Sequence, residues 1–473
     1  MKVWVAYVRH MNDPDDLFAA AAQAMARFRA TVDERPVAPP VDFETIRDGF
    51  GPTLPLDPSP PEDVLSDLIQ AADPGITATA GPRYFGFVIG GALPAATTAD
   101  MMALAWDQPA FNATLSPASI AAEQVAGEWA KELLGIPNSA SVGFVTGAQE
   151  ANTVGLAAAR HHVLKELGWD VEQDGLQGAP RVRVLVGDER HGTIDRSLRL
   201  LGLGIGSAVP VRTDANGAID IGHLEEVLAS TEGPTIVCLQ SGNVNTGACD
   251  DLERSCAAAH AQGAWVHIDG AFGLWAAVSP EFSHLTRGIE QADSWGCDAH
   301  KWLNVPYDSG LVFVTRPDVH AAAVSYVAAY LVGSGQGTLG GSDFVISSSR
   351  RARGFAVWAA IREFGRSGIA ELVERNCALA RRFADQLQEA GAEIANEVVL
   401  NQVLVGFGDD ETTDAVIDRV QRDGTCWMGG TTWRGRRYMR ISVSNHSTTE
   451  ADVDRSVEAV LRSWRPEGGV ARP

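Results

Sequence analysis

The chain of 473 residues carries 34 arginines but only four lysines, and lysine alone offers a primary amine for imine chemistry. Lys2 lies at the N-terminal tip. Lys131 lies opposite the Val125, Trp129, Leu133 stripe of a helical pattern, and Lys165 has His161, His162 and Gly168 as helical neighbours. Both read as solvated positions. Lys301 differs: it stands in Asp298-Ala299-His300-Lys301-Trp302-Leu303, just before the apolar run Gly310 to Val314. An amine lodged among apolar and aromatic side chains sheds its proton more readily, which favours a Schiff base. A buried, salt-bridged lysine is the alternative reading of the same triplet.

A second piece is Trp265-Val266-His267-Ile268-Asp269-Gly270-Ala271, an apolar run ending in a carboxylate. An Asp at the carboxyl end of a central strand is placed to pair with a cationic ring nitrogen, although strand-end aspartates also cap loops. Combined with a lysine 32 residues later, it matches the needs of pyridoxal 5'-phosphate: an amine that takes the aldehyde, and an acid that keeps the pyridine protonated. A third piece, Thr146-Gly147-Ala148-Gln149-Glu150-Ala151-Asn152, joins a strand to a helix with small residues that let backbone N–H groups and the helix dipole approach a phosphate. The fourth is His191 in Asp188-Glu189-Arg190-His191-Gly192-Thr193. An imidazole there stacks on a bound ring or caps the following helix.

These pieces need a scaffold, and the pattern from about 93 to 355 supplies one. Short β-branched runs at 142–145, 182–186, 235–239 and 265–268 alternate with helical patterns at 150–167, 193–201 and 252–262, and 310–314 adds another run. Such alternation marks an α/β fold with a mostly parallel sheet covered on both faces, whose ligands sit at the strands' carboxyl ends. Ser116-Pro117 opens a further helix and Gly135 with Pro137 closes it. Residues 1–92 hold one helical pattern, Leu17 to Phe28, then Pro36, Pro39, Pro40, Pro52, Pro55, Pro58, Pro60 and Pro61. So many prolines forbid regular helix or central strand, so this segment is expected to wrap over another surface, such as a second subunit, instead of forming its own core. Residues 356–473, with helical patterns at 356–364 and 369–390 and strand-like runs at 402–407 and 438–443, read as a smaller α+β domain.

Composition narrows the partners. With 38 Lys+Arg against 60 Asp+Glu, the net charge of −22 repels phosphate backbones, so nucleic acid is not an expected partner. No run approaches the ~18 apolar residues needed to span a bilayer, and the first ten residues are too short for a signal peptide. They read as a ragged extension, with Met11 an alternative start. Six scattered cysteines without a CxxC pair argue for reduced thiols in the cytoplasm and no metal site.

In this order the motifs resemble the pyridoxal-phosphate group II amino-acid decarboxylases, the family that includes aromatic-L-amino-acid, glutamate and histidine decarboxylases. The resemblance runs from about Arg83-Tyr84-Phe85 to Tyr438-Met439-Arg440-Ile441-Ser442-Val443-Ser444-Asn445, and His267-Ile268-Asp269 with His300-Lys301-Trp302 is its most specific part. It implies fold type I, of the aspartate-aminotransferase kind, with a seven-stranded sheet, a small C-terminal domain and a homodimer whose active sites lie at the interface. It implies that Lys301 binds the cofactor covalently, Asp269 pairs with the pyridine nitrogen, His191 stacks on the ring, and His300 flanks the phosphate beside Gly147, Ala148 and Gln149. Ala271 and Asp298 fall at further cofactor positions. Relatives commonly carry Ser where Gln149 stands and Asn where Asp298 stands. Ala328-Ala329-Tyr330-Leu331 matches a lid whose tyrosine protonates the product carbon, and relatives lacking that tyrosine tend to release aldehydes.

The resemblance places Phe87, Val88, Ile89, Phe111 and Tyr307 at the substrate pocket and Arg440 near a substrate carboxylate. An apolar set of this kind points to decarboxylation of an aromatic L-amino acid to its amine and CO2. Arg83, Arg351 and Arg353 keep an acidic amino acid as the main rival. Transamination or retro-aldol cleavage on the same cofactor, and a cofactor-free binding protein that retains the fold, are the other readings.

Overall fold

The computed structural model describes residues 14–326 and 340–465. Its central sheet consists of β1 (Ser141–Val145), β2 (Arg183–Gly187), β3 (Ala208–Val211), β4 (Thr235–Gln240), β5 (Trp265–Asp269), β6 (Ser294–Asp298) and β7 (Gly310–Val314), in the spatial order β1-β7-β6-β5-β4-β2-β3. Only β7 is reversed, antiparallel to both β1 and β6; the other pairings are parallel. Alternate residues of each strand feed two cores, one with Phe144, Val237, Val266, Ile268 and Phe313, the other with Val145, Ile236, Cys238, Trp265 and Val312. The seven-stranded, mostly parallel α/β architecture is the expected one. Two strands escaped the sequence pattern. β3 is a four-residue edge strand, and β6, Ser-Trp-Gly-Cys-Asp, has no β-branched residue yet lies fully buried between β5 and β7. Position in the sheet, not propensity, makes it a strand.

The helices that position the site are α1 (Pro14–Thr31), α2 (Pro61–Ala72), α3 (Pro117–Leu134), α4 (Ala148–Lys165), α5 (Gly192–Leu200), α6 (Pro317–Val324), α7 (Gly354–Glu389), α8 (Asp410–Asp423) and α9 (Glu450–Trp464). Two of them correct the sequence reading. The proline-rich stretch does contain regular helix, because Pro61 occupies the first turn of α2, where a missing N–H costs nothing. Lys131 is not solvated. The residue is 2% exposed, and its Nζ donates to the carbonyls of Asn138 (2.7 Å) and Ala140 (3.0 Å) and pairs with Glu128 at 2.8 Å. The chain reverses at the left-handed Gly135 (φ 72°) and returns to begin β1, covering the lysine that opposite-face logic had left in water.

A second sheet of β8 (Glu393–Ile394), β9 (Gln402–Gly406), β10 (Gly429–Trp433) and β11 (Arg436–Ser442), ordered β10-β11-β9-β8 and antiparallel throughout, packs with α8 and α9. α7 joins the two sheets. Its first part places Ala356, Val357 and Ile361 in the core of the large sheet, the chain kinks at Gly365 (φ 60°), and its last turns place Phe383 and Leu387 in the core of the small one.

α6 is held on β1 by a buried pair, Ser141 Oγ and His320 Nδ1 at 2.8 Å. Burial pushes the His320 imidazole down to about 3, whereas in the unfolded chain it titrates near 6.5. Between those values the unfolded state binds more protons, so the stability contributed by a neutral His320 is complete above about pH 6.5 and is lost as pH falls toward 3. His320→Gln should therefore gain on the parent by roughly 2 kcal/mol between pH 7 and pH 5, measured as the change in the difference between their urea-unfolding free energies.

Candidate active site

The carboxyl ends of the parallel strands converge on one cavity of about 360 Å³, lined by Thr146, Gly147, Ala148 and Gln149 after β1, His191 and Thr193 after β2, Gln240 of β4, Asp269 of β5 and Asp298 of β6. His300, Lys301 and Tyr307 line it from the segment between β6 and β7, and Phe87 lines it from the N-terminal side. Lys301 Nζ lies 3.0 Å from Asp298 Oδ2. Both sequence readings of this lysine thus meet in one place: it is salt-bridged, and it faces the cavity.

The other oxygen of Asp298 accepts from the backbone N–H of Ala148 at 2.5 Å and lies 3.4 Å from His300 Nε2. Helix geometry leaves the first N–H groups of α4 without intrahelical partners, so this corner concentrates donors suited to an anion. Its dimensions depend on absent side chains: a Cβ on Gly310 would stand 2.5 Å from the Gly147 Cα, and one on Gly147 would stand 2.8 Å from His300 Cε1. His300 Nδ1 accepts from the Ser309 N–H at 3.1 Å, and its ring stacks on Tyr307 with centroids 4.1 Å apart. Burial lowers the His300 pKa from the ordinary histidine value, so the ring is neutral near pH 7.

Asp269 is buried at the end of β5, where one oxygen accepts from the Ala271 N–H (3.3 Å) and the other faces the Thr193 hydroxyl (3.5 Å). His191 caps α5: its Nδ1 accepts from the Thr193 N–H at 3.2 Å. Capping and facing the cavity are one conformation, not alternatives. Burial lowers its pKa as well, and the accepting Nδ1 puts the ring proton on Nε2.

The structure separates the remaining candidates. Gln149 and Ala271 line the cavity; Gln149 Nε2 donates to Ser197 Oγ at 3.1 Å. Val88 and Phe111 are buried and are not among the lining residues, whereas Phe87 lines the cavity while 62% exposed. Phe87 and Val88 both adopt left-handed backbone (φ 53° and 57°), a conformation costly for a β-branched residue. Arg440 lies behind the wall, donating to the carbonyl of Val244, which lines the cavity; burial lowers its pKa to about 10. Arg83, Arg351 and Arg353 bring no charge to the lining. Arg83 is paired with Asp452 at 3.0 Å, Arg351 with Asp100, and Arg353 with Asp308 at 2.9 Å. Tyr330 lies outside the described residues.

Sequence reasoning missed Thr193, Gln240, Val244, Phe272 and the tryptophan Trp427, whose ring stacks between Tyr84 (5.0 Å) and Phe87 (5.4 Å). Thr193 stood two residues after His191 and was findable. Trp427 lies just before β10 of the second sheet and carried no local signal.

Comparison with known proteins agrees with this geometry. The pyridoxal-dependent decarboxylase conserved domain matches residues 44–407. Tryptophan decarboxylase 1 of Oryza sativa subsp. japonica is 26% identical over 94% of this chain and 92% of its own length. Aromatic-L-amino-acid decarboxylase of Sus scrofa is 27% identical over 91% of each. In fold, the crystal structure of Oryza sativa TDC with PLP and tryptamine superposes with a TM-score of 0.88 at 24% identity, covering 96% of this chain and 98% of that one.

Gly310→Ala forces the turn at Gly147 to move. At roughly 1–3 kcal/mol of overpacking, it should weaken pyridoxal phosphate binding about ten- to a hundredfold while leaving far-UV circular dichroism unchanged, as read by cofactor titration of the apoprotein.

Proposed function

The chain belongs to the pyridoxal-dependent decarboxylase family, and we propose that within it the enzyme converts an aromatic L-amino acid to its amine and CO2. The observation that carries this reading is the shared cavity: an amine at Lys301 and a carboxylate at Asp269 face one space whose remaining wall includes Phe87, Val244, Phe272 and Tyr307. With Arg83, Arg351 and Arg353 tied to carboxylates elsewhere, the lining offers an aromatic side chain apolar contact and an acidic one no free arginine. The aromatic substrates named for the rice and pig relatives point the same way.

The residues fit the cofactor. Lys301 would present the amine that takes the cofactor aldehyde, Asp269 would accept the ring N–H, and Ala271 and the neutral His191 would contact the ring from the cavity wall. Gly147, Ala148, Gln149 and His300 would hold the phosphate, with Asp298 bridging Lys301 and the Ala148 N–H beside it. When bound, pyridoxal phosphate supplies a reactive carbonyl and a protonated ring that draws in the electrons of the breaking Cα–carboxylate bond. The protein's share is orientation: the walls must hold that bond perpendicular to the ring plane, and Arg440, through the Val244 carbonyl, fixes the loop on the substrate side. By the family resemblance Tyr330 would be the proton donor to Cα, a role that favours the amine as product.

Residues 1–92 are read as the part that wraps a partner subunit, 93–355 as the cofactor-binding domain and 356–473 as the small domain. A homodimer is supported by an apolar groove of about 410 Å³ between α1 and α2, lined by Met25, Phe28, Leu68 and Ile76, and by the exposed Phe43, Leu54 and Leu56. A cytoplasmic location is supported by six free thiols, five of them buried; among the described residues no helix is long and apolar enough to cross a membrane.

A panel of aromatic and acidic amino acids, assayed for amine and CO2 with cofactor-loaded enzyme, tests the substrate class. Aromatic substrates should lead in kcat/KM; a lead for glutamate or aspartate, or a keto acid or aldehyde as main product, overturns the reading. Lys301→Ala should abolish the visible absorbance of bound cofactor and lower kcat by on the order of 10³-fold or more.

A further inference from the structure

We propose that His267 is a positioning residue that, through Asn152 and Thr193, sets the direction of a hydrogen-bond chain ending on Asp269 and His191. The inference rests on the reading of those two groups as the ones that hold the cofactor ring.

The chain begins with Trp265, whose Nε1 donates to Ser294 Oγ at 2.9 Å. Ser294 Oγ is 2.9 Å from His267 Nδ1, and His267 Nε2 is 3.0 Å from Asn152 Oδ1. Asn152 Nδ2 donates to Thr193 Oγ1 at 3.1 Å. Thr193 Oγ1 in turn lies 3.0 Å from His191 Nδ1 and 3.5 Å from Asp269 Oδ2. Ser294, His267 and Asn152 are fully buried, so each of their protons needs a partner within the network.

That requirement fixes the direction. An indole N–H only donates, so Ser294 accepts from Trp265 and must give its own proton to His267 Nδ1. Burial holds the His267 pKa down to about 3, so the ring is neutral with its proton on Nε2. Nε2–H then donates to Asn152 Oδ1, which leaves the Asn152 NH₂ facing Thr193. His191 Nδ1 already accepts from the Thr193 backbone N–H, so the Thr193 hydroxyl proton goes to Asp269. Without the donor at His267, the Asn152 amide is free to turn over and offer its oxygen to Thr193, whose proton then leaves Asp269. The helix makes room for this arrangement: a Cβ on Gly155 would stand 2.5 Å from His267 Cε1.

The test is the tautomer and its consequence. Long-range ¹H–¹⁵N correlation of histidine-labelled holoenzyme at pH 7, with His267 assigned by its loss in His267→Gln, should show the Nε2–H form; the Nδ1–H form overturns the proposal without any assay. His267→Gln keeps an N–H near the Nε2 position and should bind pyridoxal phosphate within about threefold of the parent, whereas His267→Leu should bind it about tenfold more weakly or worse. Equal affinities overturn the relay. Asp269→Asn run alongside separates the two claims: unchanged affinity there sinks the role of Asp269, while the tautomer still reports on the relay. Should His267→Leu fail to fold, the parent tautomer and Ser294→Ala, expected to weaken binding in the same direction, decide the matter.

Discussion

One ion pair organises the centre of this molecule. Asp298, at the end of β6, meets Lys301 with one oxygen and the first N–H of α4 with the other. A buried carboxylate is tolerable only when charge and hydrogen bonds surround it, and here the compensation comes from two directions at once. The pair thereby ties the strand that ends at 298, the turn that carries the lysine and the helix that begins at 148. Each of those elements presents further cavity residues: Thr146 and Gly147 before the helix, His300 and Tyr307 around the lysine. A cofactor phosphate seated there would share the α4 donors with Asp298, so the carboxylate both shapes the corner and competes for it.

The fold and much of the site were legible because their signals are local. Strand-end chemistry follows from apolar runs that stop at a charged residue, as at Asp269, and the scarcity of lysine left Lys301 as the reactive candidate. What stayed hidden depended on distant chain. Lys131 looked exposed because helical-face logic cannot see the return of residues 138–140 over it. β6 carried a strand into the middle of the sheet with no strand-like composition, since its neighbours already provide the ladder. Trp427 meets Phe87 across 340 residues of sequence. Arg83, one of the arginines that kept an acidic substrate as the rival, instead joins Asp452 of α9 and the carbonyls of Asp33 and Thr425, a structural clasp between the N-terminal segment and α9.

The same separation explains why substrate identity is read less directly than cofactor identity. The residues proposed for the cofactor lie at strand ends that the large sheet places by itself. The wall proposed for the substrate borrows from outside it: Phe87 is held in left-handed backbone and braced by Trp427, and the buried Arg440 reaches the cavity only through the Val244 carbonyl. Side chains that act through packing leave no motif, whereas those that act through charge at a strand terminus do.

α7 runs from one hydrophobic core into the other past a single kink at Gly365. Gly365 divides it into two helical segments, 354–364 and 366–389, of about 17 and 36 Å at 1.5 Å per residue. The first segment buries Val357 and Ile361 in one core and the second buries Phe383 and Leu387 in the other, so a single bent joint connects the two cores. Where the second segment sits on the small sheet, its angle to the first is set at that joint, which makes Gly365 the point at which the packing of one sheet is passed to the other.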